Sequence, residues 1–325
     1  MKTPLVFNPV YRDNVWGGER IAALYHRENT PKPCAESWEI SGHPAGPGVV
    51  ASGQYAGRTL ADLAEEFGAD LVGTACPEPK KFPLLFKIID ANDFLSVQVH
   101  PDNKSAKTIG GEPKTEMWYV LGAQPGAHIY AGLDGDANPD NFRKAVEQGR
   151  AQALLNRYQV AAGDAFYIPG GLVHAIGPGC LIYEIQQSSD TTYRIYDWNR
   201  RNPDGSPARE LHLEKGLATI DWTLPAPKPR HTGVGLVSDA SVVTCRFFCL
   251  KKLLLREERN VAMDGRSFHA LFVEKGGATV RCGCECVRLA AGSSCLVPAS
   301  AGAYALKPEG ASAVVLRTTL VPTNP

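Results

Sequence analysis

Apolar and polar residues alternate over short stretches through most of the chain, and a two-residue period predicts strands rather than helices. Glu36-Ser-Trp-Glu-Ile-Ser41 reads as a strand with Glu36, Trp38 and Ile40 on one face and Ser37 and Glu39 on the other. Leu84–Asp90 reads as a mostly apolar strand with Lys87 inside it. Further strands are predicted over residues 95–100, 118–121, 158–164, 165–169, 181–186 and 192–198. Helical spacing is confined to a few places. Thr59–Phe67 is amphipathic, with Thr59 as N-cap and Asp62 three residues on. Asn138-Pro139 opens a helix to about residue 148, a second helical piece is predicted at about 150–157, and a short helix over 211–220. Thr223-Leu-Pro-Ala-Pro-Lys-Pro-Arg230 is the clearest linker, and residues 240–320 are strands and turns.

The β patterning repeats. Val160-Ala-Ala-Gly-Asp-Ala-Phe-Tyr-Ile-Pro169 matches Leu289-Ala-Ala-Gly-Ser-Ser-Cys-Leu-Val-Pro298, and Glu116-Met-Trp-Tyr-Val-Leu121 matches Phe268-His-Ala-Leu-Phe-Val273. The fold class predicted is mainly β: two related barrels, the first carrying a small helical insert at about 133–158. The predicted domains are a catalytic metal-binding unit over 1–222, a linker over 223–233, and a degenerate second β domain without metal over 234–325. In this pairing the second copy has Phe268 in place of Glu116 and Ala303 in place of His174. Polar groups lost together from one copy point to a site in the other.

That site is drawn from three stretches. Gln98 and His100 are two apart in an alternating run, so on a strand both face the same way. Glu116 precedes the apolar run Met117–Leu121, and His174 closes Gly163–His174. Imidazole and carboxylate groups converging from strands suit Zn²⁺, Fe²⁺, Mn²⁺ or Co²⁺. The predicted metal ligands are therefore Gln98, His100, Glu116 and His174.

Composition narrows the classes. With 34 basic and 34 acidic residues the formal net charge is zero, so neither a nucleic-acid groove nor a basic membrane face is expected. No apolar run reaches the roughly 20 residues of a membrane span, and no secretory stretch precedes the first prolines. The expectation is a cytoplasmic protein, a monomer with a small-molecule partner. Nine cysteines, an odd number, argue for reduced thiols rather than a disulfide framework. Cys282, Cys284 and Cys286 would share one face of a strand and are expected to be buried or half-buried thiols.

Four motifs carry a resemblance. Phe94-Leu-Ser-Val-Gln-Val-His-Pro-Asp102, Lys114-Thr-Glu-Met-Trp-Tyr-Val-Leu121, Ile168-Pro-Gly-Gly-Leu-Val-His-Ala-Ile-Gly177 and Ser188-Ser-Asp-Thr-Thr-Tyr-Arg-Ile-Tyr-Asp-Trp198 occur in this order. Together with Tyr11-Arg12, Val15-Trp-Gly-Gly18 and Glu36–Ser41 they resemble the type I mannose-6-phosphate isomerases, the shorter bacterial branch above all. The likeness runs from about residue 5 to 225 and is loose beyond. It departs at Thr115, where longer members have proline, and in the small size of the helical insert.

The resemblance implies a zinc-dependent cupin with one Zn²⁺ per chain and two jelly-roll barrels. The reaction implied interconverts mannose 6-phosphate and fructose 6-phosphate through a cis-enediol. It puts Gln98, His100, Glu116 and His174 on the metal, Arg194, Lys114 and Asp190 in catalysis, and Ser96 near the substrate. Trp38 and Lys87 are added as pocket candidates. Arg12, Lys87, Arg194 and Arg201 are the basic residues near motif segments that could meet a phosphate. Two alternatives share the fold: a metal-dependent cupin oxygenase and a non-catalytic sugar-binding cupin. Neither requires Arg194, Asp190 and Lys114 around a phosphosugar.

Overall fold

The computed structural model describes residues 1–232 and 239–321. Strands dominate, and every strand pair within the sheets is antiparallel. Up to His231, apart from the two-stranded pair Phe7–Asn8 with Val49–Val50, they form two facing sheets. One has seven strands in the order Arg230–His231, Asp164–Ile168, Glu116–Ala123, Cys180–Gln187, Leu84–Asp90, Glu36–Ser41 and Val10–Arg12. The other has five, in the order Tyr193–Tyr196, Val97–Val99, His174–Ile176, His128–Leu133 and Leu155–Gln159. The strands from Ala240 to Leu320 form a separate seven-stranded sheet. The expected end of the linker at 233 and start of the second domain at 234 lie outside the described residues.

Alternation sorts the side chains. Between the two N-terminal sheets Trp118, Val120, Phe166, Ile182, Ile129 and Ile176 pack together. The other face of the larger sheet offers Phe86, Ile88, Tyr119, Tyr183 and Ile185, which share a core with Phe268, Phe272, Leu296 and Leu316. Tyr183 and Phe272 stack with ring centroids 4.2 Å apart. The C-terminal sheet thus covers the back of the sheet that carries the polar residues described below. Two buried polar ties cross the same interface. Arg27 donates to Glu39 and to the Gly292 carbonyl, and Lys252 donates to the Tyr119 hydroxyl beside Glu274.

The helices over Leu60–Phe67, Pro139–Glu147 and Leu213–Thr219 form where the spacing predicts them. Thr59 accepts from the Asp62 N–H, and Asn138 caps its helix in a reciprocal box with Asn141. Four expectations need correction. Residues 150–157 are a short 3₁₀ turn, Ala151–Leu154, followed by the strand Leu155–Gln159; the Leu-Asn-Arg-Tyr-Gln run satisfies the edge of a sheet. A register shift between Trp38 and Ile40 puts Ile40 opposite Phe86, so it leaves the face of Glu36 and Trp38. Cys282 ends a strand and is buried, whereas Cys284 in the turn and Cys286 on the returning strand are exposed. The repeat also shifts by one. Ile168, before Pro169, pairs with Glu116, while Val297, before Pro298, pairs with His269. The counterpart of the carboxylate is therefore His269, whose Nδ1 bonds the Tyr304 hydroxyl at 2.9 Å.

His269 makes stability depend on pH. Burial, and then the charge of Arg317, lower its pKa to about 4. An unfolded histidine takes up a proton near pH 6.5, whereas the folded one stays neutral until about 4. Between these values the unfolded chain binds more protons, so stability falls as pH falls. His269→Gln should flatten the dependence, narrowing the loss between pH 7 and pH 4.5 by on the order of 2 kcal/mol. Urea midpoints of both proteins at the two pH values check this.

Candidate metal centre

Strand register assembles the site. Gln98, the middle residue of Val97–Val99, lies opposite His174 on one side and Arg194 on the other. Directly opposed residues project to the same face, so Arg194, Gln98 and His174 form one row. His100 follows two positions after Gln98, just past the strand, with Pro101 behind it. From the facing sheet comes Glu116, the first residue of Glu116–Ala123, held between Ile168 and Gln186. Glu116 Oε2 is 3.5 Å from His100 Nε2, and its Oε1 is 3.4 Å from His174 Nε2. All three residues are at most 1% exposed. Among the described residues this is the one cluster of three that could hold an ion.

The donor set fits a divalent cation. His100 Nδ1 meets the Thr191 carbonyl and His174 Nδ1 the Leu172 carbonyl, both at 2.8 Å. A carbonyl only accepts, so each Nδ1 carries the proton and each Nε2 turns its lone pair toward Glu116. Burial, aided by Lys114, keeps both rings neutral: the His100 pKa is pushed far down and that of His174 to about 4. Both Glu116 oxygens are buried without a well-directed hydrogen bond. A bare carboxylate in such a place is costly unless a cation meets it. The nearest cation is the Lys114 ammonium, which leans in to 2.9 Å from Glu116 and 3.2 Å from His100 Nε2. Gln98 lies 3.3 Å from His174 Nε2 through its amide nitrogen; a half-turn of the amide would offer the oxygen instead.

Around the ligands runs a lattice of buried charge that the sequence reading only partly found. Lys114 lies 4.0 Å and Lys87 3.8 Å from Glu184 Oε1, and Lys87 lies 3.3 Å from Glu36. The indole N–H groups of Trp118 and Trp38 donate to Glu184 and Glu36 at 2.8 and 2.7 Å. Burial opposes the charge of Lys114, but Glu116, Glu184 and Glu36 outweigh it and raise its pKa. Burial and the nearby Glu116 raise that of Glu184. Glu184 is not among the residues predicted from sequence, although it stands as a lone acid on the inward face of Leu181–Gln186 with Ile182 and Gln186, an interruption of an apolar strand that signals it.

A cavity of ≈ 270 Å³ opens beside this lattice, and Ser96, Gln98, Lys87, Lys114, Asp190 and Arg194 all line it. Trp38 does not reach the cavity. Its ring lies beneath Lys87, with the ammonium 4.8 Å from the centroid, and its role is to support Glu36 and Lys87. Arg12 also lies against that ring, 4.9 Å from its centroid, and Arg201 is exposed in the 201–207 bridge. Neither lines the cavity, whereas Arg209, His212, Asn14 and Thr192 do. A larger cavity of ≈ 720 Å³ lies elsewhere, against His43, Phe82 and Phe247, and none of the clustered ligands lines it.

Comparison with known proteins agrees with this geometry. The family described as phosphomannose isomerase type I, catalytic domain, matches residues 5–125, and the mannose-6-phosphate isomerase cupin domain matches residues 238–317. A mannose-6-phosphate isomerase of Streptococcus mutans is 42% identical over 227 residues, 70% of each chain. One from Bacillus subtilis is 38% identical over 255 residues, 77% of this chain and 78% of that one. The crystal structure of a mannose 6-phosphate isomerase from Bacillus subtilis superposes with a TM-score of 0.84 at 28% identity, covering 98% of this chain and 99% of that one. The chain belongs to the type I phosphomannose isomerase family.

Proposed function

We propose that His100, Glu116 and His174, with Gln98, hold one Zn²⁺ that serves the interconversion of mannose 6-phosphate and fructose 6-phosphate, the reaction of this family. The observation that carries the reading is the carboxylate of Glu116, buried between two imidazole lone pairs with the Lys114 ammonium as its one cationic neighbour. When bound, the ion supplies a Lewis acid beside the substrate's carbonyl oxygen, which acidifies the neighbouring carbon.

The chain's own residues supply the rest. Removing the C2 proton of the open-chain aldose gives a cis-enediol, and returning a proton to C1 gives the ketose. Glu36 and Glu184 line the cavity in ion pairs with lysines, whereas Asp190 lines it without an ion-pair partner among the described residues. Asp190 is therefore assigned as the base that moves the carbon-bound proton. Its main chain is held by the Glu112 carboxylate, which accepts the Asp190 N–H at 3.0 Å. Lys114, kept charged by its carboxylate neighbours, donates to the oxygens at C1 and C2 and exchanges protons between them. Arg194 stays cationic and stabilises the negative charge that develops as the C2 proton leaves. Ser96, 3.3 Å from the Gln98 amide oxygen, orients that ligand at the cavity wall. Lys87 holds Glu36 and Glu184 in place.

An Fe²⁺ oxygenase would use the same His/Glu/His set but has no need of this lysine and arginine arrangement. A sugar-binding protein without turnover has no need of a free Asp190. The enzyme is proposed to act as a cytoplasmic monomer. Nine free cysteines suit a reducing compartment, and no helix among the described residues is long and apolar enough to cross a membrane.

A coupled assay for fructose 6-phosphate, run before and after chelation, tests the metal's part. Activity should vanish with the metal and return with Zn²⁺; turnover that persists in fully metal-free protein rejects the mechanism. Arg194→Ala should lower kcat by roughly 10²–10³-fold, as loss of an oxyanion-stabilising donor does, while the zinc content per chain stays at the wild-type value. A parallel loss of zinc would mark Arg194 as structural.

A further inference from the structure

Asp190 sits on the connection over residues 188–192, which crosses from the sheet of Cys180–Gln187 to that of Tyr193–Tyr196. No strand ladder fixes this connection, so its polar groups need partners elsewhere. The loop ahead of Glu116 supplies them. The Tyr193 hydroxyl donates to the Gly110 carbonyl at 2.8 Å. The Glu112 N–H donates to Thr191 Oγ1 at 2.9 Å, and the Ser189 hydroxyl donates to the Glu112 carbonyl at 3.2 Å. The Glu112 side chain then accepts the Asp190 N–H through Oε2 at 3.0 Å. The two segments lie so close that a Cβ on Gly111 would fall 2.6 Å from Thr191 Cγ2.

Glu112 is in turn held from the side away from Asp190. His43 Nδ1 accepts the Ala45 N–H at 3.1 Å, which puts the ring proton on Nε2. That N–H meets the Glu112 carboxylate, 3.1 Å from Oε1 and 3.0 Å from Oε2. The His43 ring is buried, with Trp38 set edge-on to it at 6.3 Å, whereas Glu112 is exposed. Both residues line the larger cavity and neither lines the smaller one. The connection borders both spaces: Gln187 and Ser188 face the larger, Asp190 and Thr192 the smaller. Two working groups depend on it. Asp190 carries the assigned base, and the Thr191 carbonyl accepts from His100 Nδ1 at 2.8 Å.

We propose that Glu112 and His43 are positioning residues for the isomerisation: the imidazole fixes the carboxylate, and the carboxylate fixes the backbone from which the base projects. This rests on the isomerase reading and on Asp190 as its base. A hydrogen bond to an ionised carboxylate is short and directional, so the Asp190 N–H anchors the Cα that carries the base. The anchored residue is the neighbour of Thr191, whose carbonyl orients His100. One contact therefore sets the base and a metal ligand against each other. A base has to stand within hydrogen-bond reach of the proton it takes, and a misplacement of about 1 Å costs on the order of 10²-fold in rate. His43 and Glu112 act on turnover without touching the substrate.

The test compares Glu112→Ala, His43→Leu and His43→Gln with the wild type as zinc-loaded full chains. Glu112 is exposed, and the bonds of Tyr193, Thr191 and Ser189 to this loop do not use its side chain, so Glu112→Ala keeps the loop docked. Its kcat per bound zinc should fall about 10–100-fold, the range for partners that orient ligands from outside the site. Its KM for mannose 6-phosphate should move by less than about twofold, since the lost interaction is not made with the substrate. His43→Leu should lower kcat about 3–10-fold for one hydrogen bond lost. His43→Gln, which can still donate to Glu112, should recover most of that. An unchanged kcat in Glu112→Ala overturns the proposal, as does a loss that vanishes once rates are scaled to zinc content, which would mark the pair as structural. Amide hydrogen exchange reads the contact without turnover. The Asp190 amide should exchange about 10-fold faster in Glu112→Ala than in the wild type, and equal rates overturn the proposal. A wild type that does not isomerise rejects the isomerase reading, whereas the exchange rates still decide whether Glu112 holds Asp190.

Discussion

A carboxylate taken out of water must be met by positive charge or by hydrogen bonds, and Glu116 is placed where few are on offer. Its two oxygens are buried, two neutral imidazoles face it, and a single ammonium leans against it. An isolated ion in such a medium costs several kcal/mol even after relaxation. The fold sustains that arrangement through strand register. A slip of one residue at Gln98 or Glu116 would turn the ligand outward and an apolar neighbour inward. Both strands are pinned by apolar side chains on alternate positions, Val97 and Val99 on one and Met117 and Tyr119 on the other, all buried. The ligand geometry is thus a by-product of core packing, and the core cannot be satisfied with the ligands elsewhere.

The same constraint accounts for the lattice around the site. Glu36, Glu116 and Glu184 share two ammonium groups, Lys87 and Lys114. One carboxylate is therefore left without a matched charge, and a divalent cation would reverse the imbalance. Lys114 stands at the junction. With the cluster bare, its ammonium serves Glu116 and Glu184 alike. Were Glu116 committed to an ion, the lysine would be free to turn toward the cavity it already lines. The distance between its two tasks is small because Lys114 and Glu116 are two residues apart and both converge on the inward face.

Alternation alone was enough to place Gln98, His100 and Glu116 on one interior, because a period of two leaves little freedom in which way a strand residue points. The stretch that closes on His174 added the second imidazole, and the family motifs added Arg194, which no local pattern distinguishes from an ordinary strand residue. What escaped was long-range. Glu184 is bonded to Trp118, 66 positions earlier in the chain, and Arg209 joins the cavity only because a connection folds back over Asp197. Ile40 was misplaced since a register shift has no signature in composition. Trp38, an aromatic that sequence leaves equally suited to core or pocket, has its ring against the Lys87 ammonium. The one-residue error in the repeat came from aligning apolar runs, which tolerate a slip that hydrogen-bonded pairing does not.

That last correction bears on what the C-terminal sheet does. Its counterpart of Glu116 is His269, kept neutral by burial and bonded to Tyr304. Its imidazole meets a hydroxyl, where Glu116 meets two imidazoles. The sheet is instead committed to burial. Phe268, Phe272, Leu296 and Leu316 lie on the back of the strands that carry Lys87, Glu116 and Glu184 on their front. Each large side chain buried there is worth roughly 1.5–3 kcal/mol, and several together are of the size needed to offset the desolvation of the charges opposite. Removing the C-terminal sheet would leave those strands apolar on one face, open to water, and charged on the other. The lattice in front is tolerable because the packing behind it is dense.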